Sequence, residues 1–363
     1  MNPLITLSTP GGRGPLLVLS PHLDDAVISV GGVIGRAVAE GRNVTVASLY
    51  TSAPHRCEVP QRFRRLLTYE RRTQEDADAM KSLGATPLWL GFPERATRQP
   101  SLGWKLDVFK MPSPPTLQHF ANLAAIQEQI LALVAAMPGV TVLAPFAVGA
   151  HIDHVETFLA ALLIMLRTPD AATLARFQFY EDAYSFSARA RRRHFAARLY
   201  QWKPWESPVW GSLRATVMLA TMGRAARGPL LSAYLSNEAS GLAWRCTPVC
   251  VSGFEGAKLH AWSLYRSQVA RLGGMKVWEH MIPRYHSFWG GAEPLWQADT
   301  FMGTVDQRTL SNRRDGTRSP GGGERGGRVH GSRDIAIGGE PNPGPSTVCG
   351  VHVQFRRAPA GLC

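Results

Sequence analysis

Short apolar runs alternate with longer amphipathic stretches along the first half of the chain, and most alternations close on a turn residue. Residues 16–19, Leu-Leu-Val-Leu, follow a Gly-rich lead-in and read as a buried first strand. An apolar helix pattern starts at Ala26, residues 43–49 read as a second strand, and residues 67–83 read as a helix closed by Gly84. A short strand is expected at 88–90. Ile126, Ile130, Leu133, Val134 and Met137 then share one helical face that ends at Pro138-Gly139. A strand at 140–144, a helix from Val155 to about Leu166, a strand at 177–180 and a helix at 258–272 complete the pattern. Repeated strand–helix alternation predicts an α/β fold: a Rossmann-like, mostly parallel sheet with helices on both faces. Gly31-Gly32 falls inside the first helix pattern rather than directly after the strand, so it reads as close helix packing and not as a dinucleotide loop.

The chemistry sits where strands hand over to helices. After the first strand, Ser20 and Pro21 turn the chain and present His22, Asp24 and Asp25 within four residues. Ligands of open α/β sheets bind just beyond the carboxyl ends of strands. His22 and Asp25 are three apart and can face the same way on a first helical turn. An imidazole and a carboxylate make two thirds of a hydrolytic zinc site of the two-histidine, one-carboxylate kind. Asp24 stays close without pointing the same way and could accept a proton from water. The plainer alternative is that both aspartates only cap a helix N-terminus, where carboxylates are favoured.

The strand at 140–144 is followed by Pro145, a glycine-containing loop and His151-Ile-Asp-His154. If the two strands are parallel neighbours, both loops open on one edge and His154 completes a His22, Asp25, His154 triad with a position left for water. His151 would then face the substrate, and Asp153 and Glu156 are available to orient the imidazoles. Two histidines at this spacing are otherwise a common surface pair.

Pro21-His22-Leu23-Asp24-Asp25 followed by Gly31-Gly32, with a later His-x-x-His, resembles the PIG-L/LmbE-like zinc N-deacetylases. Arg72-Thr-Gln-Glu75, Leu90-Gly-Phe-Pro-Glu94 and Tyr265-Arg-Ser-Gln268 extend the resemblance over roughly residues 14–300. It implies one zinc ion per chain held by His22, Asp25 and His154, with Asp24 as the base. A protonated His151 would stabilise the oxyanion, and Arg72 and Glu94 would contact sugar hydroxyls. The substrate would be a small N-acylated amino sugar or glycoside, which loses an acetyl or longer acyl group. Leu23 and Ala26 stand where many members have Pro and Glu, Gly149 where some have Tyr, and Glu94 where the family usually has Asp.

Composition narrows the rest. The chain has 363 residues, enough for one large core with an appendage. Five scattered cysteines, an odd number, argue against a disulfide framework or zinc ribbon and for a reducing compartment. No basic, apolar leader and no uncharged apolar run of membrane-spanning length is found, so the cytoplasm is expected. The formal net charge of +13 is spread along the chain without aromatic-interleaved patches, and no nucleic-acid partner is expected. A homo-oligomer is left open. The expected domains are a deacetylase-like unit over 1–303, with a helical, apolar insertion at about 187–250, and a Gly/Arg/Pro-rich tail at 304–363 too poor in apolar residues to fold. The aperiodic stretch 95–115 is expected to cover the pocket. Two rival functions stand beside the deacetylase. One is a degenerate fold that binds carbohydrate or anions through its basic surface. The other is a phosphoester hydrolase, which would call for two metals where ligands for only one are found.

Overall fold

A computed structural model describes residues 14–52, 69–95, 120–167, 176–183, 190–191, 194 and 243–299. The tail at 304–363, the stretch 96–119 and most of the expected insertion lie outside the described residues. Within them the order is β1 (Leu16–Ser20), α1 (Asp25–Ala39), β2 (Val44–Ser52), α2 (Tyr69–Leu83), β3 (Thr86–Pro93), α3 (Leu123–Ala136), β4 (Thr141–Pro145), α4 (Ile152–Arg167), β5 (Phe177–Tyr180), β6 (Ala243–Cys250), α5 (Glu255–Leu264), α6 (Arg266–Arg271), α7 (Met275–Phe288) and β7 (Ala292–Asp299).

The strands form one seven-stranded sheet in the order β3-β2-β1-β4-β5-β7-β6. The first five are parallel: Leu16 pairs with Val44 on one side and with Thr141 on the other, and Val142 pairs with Phe177. β1 is buried along its whole length because helices cover both faces. Its side chains alternate accordingly. Leu17 and Leu19 join the core under α3 and α4, whereas Leu16 and Val18 join the core under α1, α2, α5 and α7. The expected α/β architecture is therefore present. β3 is the exposed edge, with Trp89 42% accessible.

Three elements depart from the sequence expectation. β7 runs antiparallel to β5, with Phe179 opposite Trp296, and β6 runs antiparallel to β7. The helix expected at 258–272 breaks at Tyr265 (φ −78°, ψ 57°) into α5 and α6. The break is held from α2: Tyr265 Oη donates to Asp76 Oδ1 at 2.6 Å, and Ser267 donates its backbone N–H and its Oγ–H to Glu75. A carboxylate taking an amide in the first turn of α6 does what an N-cap does, from another element. Gly31 and Gly32 do mark close packing. A Cβ at Gly31 would lie 2.9 Å from Lys258 Cγ, and one at Gly32 2.8 Å from Val251 Cβ.

Candidate active site

Four of the five parallel strands deliver the site from one edge of the sheet. His22, Asp24 and Asp25 follow β1, Glu94 follows β3, His151 and His154 follow β4, and Asp182 follows β5. β1 and β4 are neighbours whose chains continue to opposite sides of the sheet, which makes this the crevice where α/β folds bind ligands.

Asp25 Oδ2 is the meeting point. It lies 3.0 Å from His22 Nδ1 and 3.0 Å from His154 Nε2, and it accepts the backbone N–H of His22 at 2.8 Å. The outer nitrogen of each imidazole is taken by a different carboxylate. His22 Nε2 lies 3.0 Å from Asp153 Oδ2, and His154 Nδ1 is hydrogen-bonded to Asp182 Oδ1. A neutral imidazole that donates its outer N–H turns a lone pair inward. Two such lone pairs and one carboxylate oxygen then face one another, and a cation satisfies all three. The nearest nitrogens of His22, His151 and His154 also fall within 4.8 Å of one another. Donors of a tetrahedral shell with 2.0–2.1 Å bonds stand roughly 3.3 Å apart, so the spacing around Asp25 fits a single ion.

Electrostatics point the same way. Burial disfavours a charged ring at His154, but Asp25 and Asp182 override it and raise its pKa to about 9. Burial would raise Asp25; His154 and His22 instead hold it well below the usual carboxylate range. The cluster is a sink for positive charge among buried side chains.

Asp24 is half-buried beside Asp25. Burial, and then the negative charge of Asp25, push its pKa up, against the pull of Arg72. His151 is buried with its ring 4.9 Å from that of His22, edge-on. Its Nδ1 accepts the backbone N–H of Asp153 at 3.2 Å, which leaves Nε2 to carry the proton. Burial and the nearby His22 push its pKa well below the ordinary value. The sequence led us to expect a protonated His151; its surroundings disfavour the charged ring, and Nε2 still offers one N–H.

Arg72 and Glu94 are brought together rather than left separately free. Arg72 Nη1 donates to Glu94 Oε1 at 2.7 Å, and Nη2 lies 4.0 Å from Asp24 Oδ1. The guanidinium lies 5.2 Å from the ring centre of Tyr69, a neighbour the sequence reading did not single out. Arg72 Nε is buried and has no hydrogen-bond partner among the described residues. A buried donor left over beside the crevice is a ready contact for a ligand oxygen.

Of the two carboxylates expected to orient the imidazoles, Asp153 does so, and it also accepts the backbone N–H of Arg95 at 3.0 Å. Glu156 accepts from Tyr50 Oη at 2.8 Å and from the backbone N–H of Asn122 at 2.7 Å. The role expected of Glu156 falls to Asp182. Asp182 Oδ2 further accepts the backbone N–H of Val148 at 2.8 Å, inside a loop where Ala147 and Ala150 hold positive φ of 57° and 58°. Non-glycine residues in that region cost about 1–3 kcal/mol each, so the loop keeps its shape only while Asp182 and its neighbours hold it. If the cluster holds a divalent ion, Asp182→Ala is expected to weaken its binding about 10–100-fold, as loss of a carboxylate behind a ligating histidine does. Competition with a chromogenic chelator measures it, and unchanged affinity would remove Asp182 from the site.

These features define a class, a Rossmann-like sheet with a His-x-Asp-Asp turn after its first strand and a His-x-x-His turn after its fourth. Residues 17–165 match the PIG-L family, described as GlcNAc-PI de-N-acetylase, as the sequence motifs led us to expect. The 2'-N-acetylparomamine deacetylase of Streptomyces fradiae is 31% identical over 146 residues. That match covers 39% of this chain and 49% of the relative, so the chain spans about half of that relative's length. Among solved structures, a deacetylase of teicoplanin biosynthesis superposes with a TM-score of 0.54 at 20% identity, covering 80% of this chain and 100% of that one. An antimicrobial pseudoaglycone deacetylase gives 0.50 at 21% identity, covering 80% and 98%. At these identities the likeness is one of fold. No helix among the described residues is long and apolar enough to cross a membrane.

Proposed function

We propose that this protein is a zinc-dependent N-deacetylase that removes an acetyl or longer acyl group from an N-acylated amino sugar or glycoside. The observation that carries the reading is the convergence of His22, His154 and Asp25 at 3.0 Å spacing, with both outer imidazole nitrogens already taken by carboxylates. The match of residues 17–165 to a de-N-acetylase family and the paromamine deacetylase relative support the reaction type.

His22, Asp25 and His154 are the residues that would hold the ion. Once bound, it supplies a Lewis acid and lowers the pKa of water toward about 7. Asp24, whose raised pKa suits a proton acceptor at neutral pH, takes a proton from the attacking water. The water oxygen bonds to the amide carbon while the carbonyl π pair moves to oxygen. His151 Nε2–H donates to that oxyanion, an interaction worth about 3–4 kcal/mol in comparable sites. The C–N bond then breaks, Asp24 returns its proton to the departing nitrogen, and a carboxylic acid and a free amine result. Arg72, fixed by Glu94, directs its remaining donor toward sugar hydroxyls.

An acyl-release screen over N-acetyl and long-chain N-acyl amino sugars and glycosides, with zinc present or chelated, tests the reading. Zinc-dependent release from at least one class is expected. Protein that binds zinc yet releases nothing from any of them would overturn the substrate assignment. Protein that binds no metal but shows salt-sensitive binding to polyanions would favour the degenerate binding module.

A further inference from the structure

Beneath α1 lies a charged cluster that the chemistry above leaves unused. Lys258 of α5 and Glu293 of β7 are both 0% exposed and form an ion pair at 2.6 Å. His286 of α7, 2% exposed, stands 3.3 Å from Glu293 Oε1. Burial would raise the pKa of Glu293, but Lys258 and His286 bring it down to about 2. A buried pair of this kind gives little net stability over apolar residues of the same shape, so its placement calls for another account.

The placement is specific. α1 is interrupted at Val30, whose φ of −130° and ψ of 27° are not helical. In a regular helix the amides of Gly32 and Val33 would bond to the carbonyls of Ile28 and Ser29. Here they donate to Glu293 Oε1 and Oε2, at 3.2 and 2.8 Å. The carbonyl of Ser29 in turn accepts from Lys258 Nζ at 3.2 Å. The cation serves the end of the first segment and the anion the start of the second, as the polarity of helix ends favours. Gly31 and Gly32 permit the insertion, since a Cβ at either would meet Lys258 Cγ at 2.9 Å or Glu293 Oε1 at 3.0 Å. The segment ahead of the break, residues 25–29, is little more than one turn, and Asp25 is its first residue.

We propose that Lys258 and Glu293 are positioning residues for Asp24 and Asp25: their ion pair splints the break in α1 and fixes the angle at which its first turn presents those carboxylates to His154 and Arg72. The inference rests on the metal site proposed above. The ordering of the amides at 32 and 33 and the binding of an ion at Asp25 are then coupled, and the coupling is reciprocal.

Two measurements test it. Glu293→Gln and Lys258→Met keep side-chain size and remove charge. Each is expected to weaken zinc affinity by about tenfold or more, the range a supporting group commands, and to shift the visible spectrum of the cobalt-substituted protein. Ile130→Ala, in the core on the opposite face of the sheet, serves as a control for lost thermal stability and should change neither. In the unmodified protein, zinc should slow hydrogen exchange at the amides of Gly32 and Val33 more than at those of residues 36–39, a readout that needs no variant to fold. Zinc affinity and cobalt spectrum unchanged in both variants, or no selective protection at 32 and 33, would overturn the inference alone. Unmodified protein that binds neither zinc nor cobalt would take down the metal reading and this inference with it.

Discussion

Asp24→Asn is expected to keep the bound metal and lose most turnover. Asn has the shape of Asp but cannot accept a proton from water, and general-base catalysis of this kind accounts for about 10²–10⁴ in rate, or roughly 3–5 kcal/mol of barrier. The substitution also removes a charge 4.0 Å from Arg72 Nη2, yet Arg72 keeps its 2.7 Å bond to Glu94, so the crevice should stay formed. Metal content by elemental analysis and steady-state rates on one preparation decide the matter. A variant that works at close to the wild-type rate would show that the proton goes elsewhere.

The second large effect belongs to Asp25. Its Oδ2 gathers the backbone N–H of His22 and the inner nitrogens of His22 and His154. Asp25→Ala therefore removes a proposed ligand and leaves three buried nitrogens without their common partner. Zinc affinity is expected to fall by more than the roughly 10–100-fold attached to a carboxylate one layer out, and activity should drop to background. Chelation of the wild-type protein should give the same loss, restored by added zinc; the variant should regain little at equal zinc. Activity that survives exhaustive chelation would rule out a metal-dependent reaction.

The sequence carried much of this because the needed information was local. His22 and Asp25 are set by one turn, His151 and His154 by another, and short apolar runs announced both strands. A single inference, that those strands are parallel neighbours, joined the turns, and the pairing of Leu16 with Thr141 bears it out. What escaped depends on contacts between distant segments. Asp182 reaches His154 because β5 pairs with β4 in a register that sets Tyr180 beside Pro145, and nothing near residue 182 encodes that register. Lys258 and Glu293 carry charges that would ordinarily mark a solvated face, yet both are fully buried because each answers the other. β7 contains Glu293 and Pro294 and so lacks a clean strand signature. The break at Tyr265 is imposed from α2 by Asp76 and Glu75, whereas the local pattern favours a continuous helix.

The bond from His22 to Asp153 joins positions 131 residues apart, and the two turns it links hold every group proposed to grip the ion. An ion seated there rivets the opening of the chain to its middle. At free zinc 100 times the dissociation constant, the folded state gains about 2.7 kcal/mol. Zinc supply would then govern how long the protein survives proteolysis as well as how fast it works, and starvation for the metal would deplete the protein itself.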